Sequence, residues 1–262
     1  MGERRVVMFS GGAGSWATAR RVADRHGTDG MVLLFADTLT EDEDLYRFVG
    51  EAAADVGVPL TRIAEGRTVW EVFRDERMMG STRADPCSRV LKREPLRRWL
   101  EASCDPTSTT VYLGIDWTEE HRLTRALRHW EPWRVEAPLC EPPYLWRQDH
   151  VDALRARGIE PPRLYSWGMP HNNCGGFCVK AGISQFVRLL EVAPERYAWH
   201  ERQEAGFREM VGKDVSILRD RSGGTTTPLT MAALRERHEA GEPLPMFEWG
   251  GCACLEETTD AA

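Results

Sequence analysis

The stretch RVVMFSGGAGSWATARRVADRH, residues 5–26, indicates how the chain begins to fold. Arg5 to Phe9 is a short apolar run typical of a buried strand, and Trp16 to His26 has the small apolar positions of a helix. Between them lies the loop Ser10-Gly11-Gly12-Ala13-Gly14-Ser15. Glycine lets a backbone approach a phosphate closely, and the N–H groups of the following helix point at the anion. The order strand, glycine loop and helix therefore predicts a phosphate-binding loop.

Two features refine this interpretation of the loop. Ser10 and Ser15 can add hydroxyl donors. The loop has neither the Lys-Ser/Thr pair of a Walker loop nor the GxGxxG spacing of a dinucleotide site. The alternative is an ordinary strand-to-helix turn that uses glycine for its geometry.

The rest of the first half repeats the alternation of strand and helix. Further strands are predicted over residues 31–36, 59–63 and 109–115, and further helices over residues 44–56 and 92–102. Strands that are apolar throughout and alternate with helices predict a parallel sheet covered on both faces. The predicted fold class is therefore α/β and Rossmann-like.

The composition of the sequence changes after Trp133, where frequent prolines limit the length of helices and strands. Helices are predicted there over residues 149–157, 184–191 and 195–209. We expect residues 1–135 to form a nucleotide-binding core and residues 136–262 to form a smaller, helical, loop-rich region that contains cysteines.

Composition narrows the classes of function. The formal net charge of −7 argues against a protein that grips nucleic acid by bulk charge alone. The sequence has no signal-peptide pattern and no apolar run of about 18 residues, so we expect a cytoplasmic protein with no membrane span. Seven cysteines in a reducing compartment are more typical of metal binding or catalysis than of disulfides.

Polar residues at predicted strand ends are candidate ligand contacts. Asp37 ends the second strand and Asp116 follows the fourth, where open α/β sheets place their ligand groups. Each aspartate could bind ribose, adenine or Mg²⁺, or could cap the next helix. The acidic run from Glu41 to Asp44 is expected to be a solvated loop.

Cysteines provide two further candidate sites. Cys87 precedes Arg89 and Lys92, whose charges suit phosphate or sulfate and lower a thiol pKa. We expect Cys87 at the mouth of the nucleotide site; the alternative is a buried structural cysteine. The predicted metal ligands are two close pairs that could hold tetrahedral Zn²⁺ or an iron–sulfur cluster, or could be unrelated buried thiols: Cys174 with Cys178, and Cys252 with Cys254.

Several segments resemble one superfamily. The glycine loop resembles the PP-loop of the adenine-nucleotide alpha-hydrolase-like proteins, usually Ser-Gly-Gly-x-Asp-Ser, although Gly14 stands where Asp is usual. Segments that resemble phosphoadenosine-phosphosulfate (PAPS) reductases follow in the same order: Phe35 to Thr38, Cys87 to Lys92, Gly114 to Asp116 with Arg122, and Pro161 to Cys178. The resemblance covers roughly residues 6–179.

The resemblance implies roles for individual residues. The residues implied to bind ATP or PAPS, with Mg²⁺, are Ser10, Gly11, Gly12, Gly14, Ser15, Asp37, Thr38 and Gly114. The residues implied to be catalytic are Cys87, Lys92, Asp116 and Arg122. For the cysteine pairs, the resemblance favours a [4Fe–4S] cluster over zinc, and it makes Cys87 a competing ligand.

Three classes of function stay open. A sulfur-handling enzyme could reduce an adenylylated sulfate, or could adenylate transfer RNA or DNA and insert sulfur from a thiol donor protein. The chain carries Gly-Gly-Cys-Ala-Cys-Leu-Glu-Glu where the reductases carry Glu-Cys-Gly-Leu-His. An ATP-pyrophosphatase-type ligase or amidase with structural Cys₄ zinc is the second class, and a nucleotide-binding regulator without catalysis is the third. A homodimer is an expected assembly.

Tryptophans after residue 129 have two interpretations. They could stack on a base of a nucleic-acid substrate, or they could pack in the core or at an interface. The residues concerned are Trp130, Trp133, Trp146 and Trp167.

Overall fold

A five-stranded parallel sheet is the centre of the fold. The structure, a computed structural model, describes residues 2–221 and 224–244. The strands are β1 (Arg4–Met8), β2 (Met31–Asp37), β3 (Leu60–Ala64), β4 (Thr109–Tyr112) and β5 (Arg134–Glu136). Their order is β3-β2-β1-β4-β5, and every neighbouring pair is parallel. The α/β class predicted from the sequence is confirmed.

Helices connect the strands and continue after them. Those within the sheet region are α1 (Ala13–His26), α2 (Glu43–Val56), α3 (Val69–Glu76), the single turn α4 (Pro86–Ser88), α5 (Glu94–Ser103) and α6 (Leu123–His129). The later helices are α7 (Arg147–Ala156), α8 (Arg163–Ser166), α9 (Ile183–Val192), α10 (Pro194–Val211) and α11 (Met231–Glu239). A small antiparallel pair, β6 (Leu218–Asp220) and β7 (Thr227–Leu229), precedes α11.

Alternate residues of β1 pack on opposite faces of the sheet. Val7 and Phe9 join a buried cluster with residues of α1, α2 and α7. Val6 and Met8 join a second cluster with residues of α5 and α6. Because both faces of the strand are buried, the strand sequence is apolar throughout.

A third buried cluster joins the two predicted regions. It combines α3 and the segment 87–91 with residues of α9, α10 and α11. The predicted division at residue 135 falls within β5, which pairs with β4. The division itself stays a prediction.

The structure shifts several predicted element bounds. Helix α1 begins at Ala13, inside the glycine loop, rather than at Trp16. The helix predicted from Lys92 is α5, which follows a π-helical turn over Arg89–Arg93. Pro95 has no N–H to donate to the preceding turn, which is consistent with an interrupted helical hydrogen-bond ladder there.

The carboxyl ends of β1 and β4 form the junction that positions the site. The chain runs from β1 to β2 on one side and reaches β4 on the other, so the strand order reverses between them. Open α/β sheets bind ligands at such a switch point. Gly114 follows β4, and a Cβ there would lie 3.2 Å from the Ser15 backbone nitrogen and 3.3 Å from Gly14 carbonyl carbon. Glycine therefore lets β4 end against the start of α1 without crowding the backbone there.

This contact predicts that Gly114 and Gly14, which lie close together in space, differ in how well they tolerate replacement by alanine. Gly114→Ala should lower the free energy of unfolding by about 1–3 kcal/mol, because the crowding atoms are backbone and cannot rotate away. A Cβ at Gly14 would meet its nearest neighbour at an ordinary 3.6 Å, so Gly14→Ala should be neutral or stabilising. Urea unfolding of both variants checks this, and equal stabilities would contradict the packing argument.

A buried histidine lies in the third cluster. His200 of α10 stacks on Phe177 with ring centroids 3.7 Å apart, and its Nδ1 accepts the Trp70 indole N–H at 2.9 Å. Burial lowers the pKa of His200 to about 3, and Arg196 acts in the same direction. The ring is therefore neutral in the folded chain near neutral pH.

His200 should make the chain sensitive to acid. Below about pH 6.5 the unfolded chain binds a proton at this residue, whereas the folded chain resists protonation. The contribution of neutral His200 to the free energy of unfolding is thus fully present above about pH 6.5. It is lost as the pH falls, by up to about 1.4 kcal/mol per pH unit. His200→Gln, which does not titrate, should show a flatter dependence in urea unfolding between about pH 7 and about pH 5. Parallel curves would rule out this role.

Candidate functional site

A cavity of about 580 Å³ opens at the junction of β1 and β4. Small-molecule sites span roughly 300–1,000 Å³, so the cavity has the size of a ligand site. Its lining comes from the glycine loop, the ends of β1 and β2, Lys92 and Leu96, and the segments 113–122, 146–150 and 165–173. Both halves of the chain therefore contribute to it.

The glycine loop is shaped by contacts that exclude side chains. Gly11 has a φ of +79°, and a Cβ there would lie 3.0 Å from both Leu45 and Val49. A Cβ at Gly12 would lie 3.1 Å from the Tyr165 hydroxyl. The Ser15 hydroxyl donates to the Gly12 carbonyl at 2.8 Å and accepts the Gly12 N–H at 3.2 Å. Ser15 therefore fixes the loop as well as lining the cavity.

Two residues of the later region hold this loop. The Tyr165 hydroxyl accepts the N–H of Ala13 at 3.1 Å, at the first position of α1. The Asn172 amide donates to the Gly11 carbonyl at 2.8 Å, and Asn172 is buried. The sequence prediction missed both contacts, because they join residues far apart in the chain and leave no local pattern.

Asn172 predicts a measurable link between the loop and the later region. Asn172→Ala should lower the free energy of unfolding by about 1–3 kcal/mol, because a buried carbonyl loses its partner. Gln148→Ala is a suitable control, since Gln148 is exposed and donates to Asp152 of its own helix. Urea unfolding measures both variants, and an Asn172→Ala variant as stable as the control would show that the contact is dispensable.

Lys92 connects the cavity to the cysteine segment through Glu41. Its Nζ lies 3.6 Å from Glu41 Oε1, which also accepts the Thr38 hydroxyl at 3.0 Å. Glu41 Oε2 accepts the backbone N–H of Cys174 at 2.6 Å. Burial raises the pKa of Glu41, while Lys92 opposes that shift. A cavity-lining lysine and a predicted metal ligand thus share one carboxylate.

The acidic run from Glu41 to Asp44 is not the solvated loop that the sequence predicted. The Glu41 side chain is nearly inaccessible, and the Asp42 side chain pairs with Arg163 and Arg196 at 2.7 Å. Asp42 also caps α2 by accepting the Asp44 N–H. The prediction was wrong for Glu41 and Asp42, because basic side chains distant in sequence pair with them, whereas Glu43 is exposed.

The first cysteine pair lies on a tightly bent segment. Cys174, Gly175 and Gly176 have φ values of 48°, 58° and 89°. A Cβ at Gly175 would lie 3.1 Å from the Thr40 carbonyl, and one at Gly176 would lie 2.8 Å from Met169. The glycines therefore allow the bend that close packing requires, and both Cys174 and Cys178 are 8% exposed.

The structure describes only two of the four cysteines of the predicted Cys₄ site, Cys174 and Cys178. Cys252 and Cys254 lie outside the described residues. Among residues 2–221 and 224–244, no group of three or more His, Cys, Asp or Glu side chains is arranged to hold a metal ion. Cys87 and Cys178 belong to the same buried cluster. The described residues therefore do not provide a complete metal site.

The predicted catalytic residues lie at different places. Lys92, Asp116 and Arg122 line the cavity, whereas Cys87 is buried in the third cluster and is not among the described residues of the lining. Asp116 caps the turn that follows it by accepting the Thr118 N–H at 2.8 Å. Arg122 pairs with Glu119 at 2.7 Å. Two basic residues were predicted to lie beside Cys87 at the nucleotide site. Lys92 lines the cavity, whereas Arg89 pairs with Glu76 and Glu94.

Asp37 is held by protein contacts. Its carboxylate accepts the Arg62 Nε–H at 2.8 Å, the Tyr46 hydroxyl at 3.0 Å and the Leu39 N–H at 2.8 Å. It is fully buried, next to Thr38. The strand-end pattern in the sequence did not indicate that Arg62 of β3 would pair with Asp37.

The tryptophans divide between the core and the cavity. Trp130 and Trp133 are buried in the cluster under α6, as the packing interpretation expects. The guanidinium groups of Arg163 and Arg196 lie 5.1 and 5.8 Å from the ring centroid of Trp167. Trp146 is 60% exposed, lines the cavity and packs edge-on against Trp117 at 4.6 Å.

Comparisons with protein-family models and with curated proteins find no match to this chain. In the described part of the chain, no helix is both long and apolar enough to cross a membrane.

Proposed function

We propose that the chain is a PP-loop adenine-nucleotide enzyme of sulfur metabolism, either a PAPS-reductase-like reductase or an ATP-dependent sulfurtransferase, that works in the cytoplasm. The observation that carries the proposal is the glycine loop between β1 and α1, which lines a cavity of about 580 Å³ at the switch point of the sheet. A helix N-terminus at such a point favours a phosphate or sulfate group.

The lining divides into regions that suit the parts of a nucleotide. Ser10, Gly12 and Gly14 line the cavity at the start of α1, which supports a phosphate or sulfate at this end. Lys92 and Arg122 add positive charge that would stabilise the anion and the charge developing on it during reaction. Apolar side chains at the strand ends suit a base, and they are Met8, Leu34, Ala36, Leu113 and Ile115.

Mg²⁺ would accompany ATP in the sulfurtransferase form. Of the two aspartates proposed for it, Asp116 lines the cavity, whereas the Asp37 carboxylate is engaged by Arg62 and Tyr46. Asp116 is therefore the better candidate to meet a phosphate-bound magnesium ion, since carboxylates and phosphates are the usual ligands.

The proposed [4Fe–4S] cluster, or zinc as its alternative, is not supported by a complete ligand set. The described residues provide buried Cys174 and Cys178, and no third metal-binding side chain among them joins the pair. We therefore assign no step to a cluster. The group stays part of the proposal through Cys252 and Cys254, which lie outside the described residues.

An acceptor with a nucleobase is favoured by one feature. Trp146 combines high exposure with a place on the cavity lining. Bases stack on exposed aromatic rings, so this residue supports a transfer-RNA or DNA acceptor in the sulfurtransferase form. A thiol donor protein and a homodimer stay part of the same proposal.

Gly12→Val tests the proposal through binding. The new side chain would begin 3.1 Å from the Tyr165 hydroxyl and would occupy the approach to the loop. Titration calorimetry with ATP and with PAPS should show binding by the wild type and at least about a tenfold weaker affinity for the variant.

Gly206→Val is the matched control. Gly206 lies in α10 with no atom within 4 Å of a Cβ, so the same substitution should leave nucleotide affinity unchanged. Equal affinities of Gly12→Val and Gly206→Val for the nucleotide, or no binding by the wild type, would refute the proposal.

A further inference from the structure

His150 is the polar group of the cavity lining that the fold does not explain. It lies in α7, is 4% exposed and lines the cavity. Its Nε2 is buried and finds no hydrogen-bond partner among the described residues. A buried polar atom without a partner keeps the desolvation cost of its burial, and such groups in native proteins call for an explanation.

The other deeply buried histidine shows what a structural role looks like. His200 accepts a hydrogen bond from Trp70 and stacks on Phe177. His150 Nε2 has no such contact, yet the residue belongs to the lining of the cavity beside Trp146 and Arg147. An apolar ring of similar shape would fill its place without the unpaired atom. The imidazole therefore fits a contact with a ligand better than a contact that supports the fold.

The charge state of His150 limits what it can bind. Burial lowers its pKa below the ordinary value, and Arg21 acts in the same direction, whereas Asp116 and Asp149 oppose the shift. The neutral ring offers one donor and one acceptor and no net charge. It thus suits an uncharged polar group, while the cations of the described lining are Lys92, Arg122 and Arg147.

We propose that His150 forms a hydrogen-bonding subsite for a sugar hydroxyl of the ligand in this cavity. The subsite rests on the proposed nucleotide function: the loop takes the anion, the apolar strand ends take the base, and the hydroxyls are the uncharged polar groups of the sugar that joins them. His150 is a binding residue in this account, and no proton transfer is assigned to it.

The test uses His150→Phe with ATP, 2′-deoxy-ATP and 3′-deoxy-ATP in titration calorimetry. The wild type should bind ATP roughly tenfold more tightly than the variant does, equivalent to about 1.4 kcal/mol. For the wild type, one of the two deoxy ligands should bind about tenfold more weakly than ATP. For His150→Phe, that deoxy ligand and ATP should bind equally well, because the two changes remove the same hydrogen bond. Losses that multiply independently for both deoxy ligands would overturn the proposal.

Unfolding of the ligand-free chain provides a second measurement. His150→Phe should have an unchanged or higher urea midpoint, since it removes an unpaired buried atom. The matched control, His200→Phe, should show the opposite pattern, with a lower midpoint because Trp70 loses its acceptor, and an unchanged ATP affinity. A clearly lower midpoint for His150→Phe would assign the imidazole to the fold instead.

The two proposals fail in different ways. A wild type that binds neither ATP nor PAPS removes the proposed function and the subsite with it. A wild type that binds ATP, together with a His150→Phe variant that binds it equally well, removes the subsite alone.

Discussion

The close approach of the chain after β4 to the first turn of α1 is the constraint on which the site depends. At this junction the backbone of Gly114 meets the backbones of Gly14 and Ser15, and a side chain at position 114 would crowd them. The contact brings the ends of β1 and β4 together at the point where the strand order reverses. A cavity at the carboxyl ends of the strands follows, with the N-terminus of α1 in its wall.

The later region of the chain completes what this junction begins. Tyr165 and Asn172 bond to the backbone of the glycine loop, and Trp146 to His150 line the same cavity. Glu41 then joins Lys92 of the cavity to the backbone of Cys174. The buried Glu41 carboxylate therefore contacts both a cavity-lining lysine and the cysteine segment.

Local patterns in the sequence predicted the sheet and the loop but not the contacts across it. The apolar strands, the glycine loop and the α/β class follow from spacing within short segments, and the structure has them. Strand β5 was missed because it contains only three residues. Helix α3 was missed although Thr68 and Glu71 form a capping box at its start, which is a local signal of a helix.

The site was harder to predict for the same physical reason. Lys92, Asp116 and Arg122 are brought to the cavity, whereas Asp37 is engaged by Arg62 of the neighbouring strand, a pairing that sequence spacing does not encode. Tyr165 and Asn172 contact the loop, and His150 lines the cavity, only because the later region folds against the loop.

The central claim is that this cavity holds an adenine nucleotide by the glycine loop, and a crystal structure of the chain with bound ATP or PAPS tests it most directly. The account predicts phosphate or sulfate oxygens within hydrogen-bonding distance of the backbone between Gly12 and Ser15, with the base against the apolar strand ends. A nucleotide bound elsewhere, with the cavity at the loop unfilled, would contradict it.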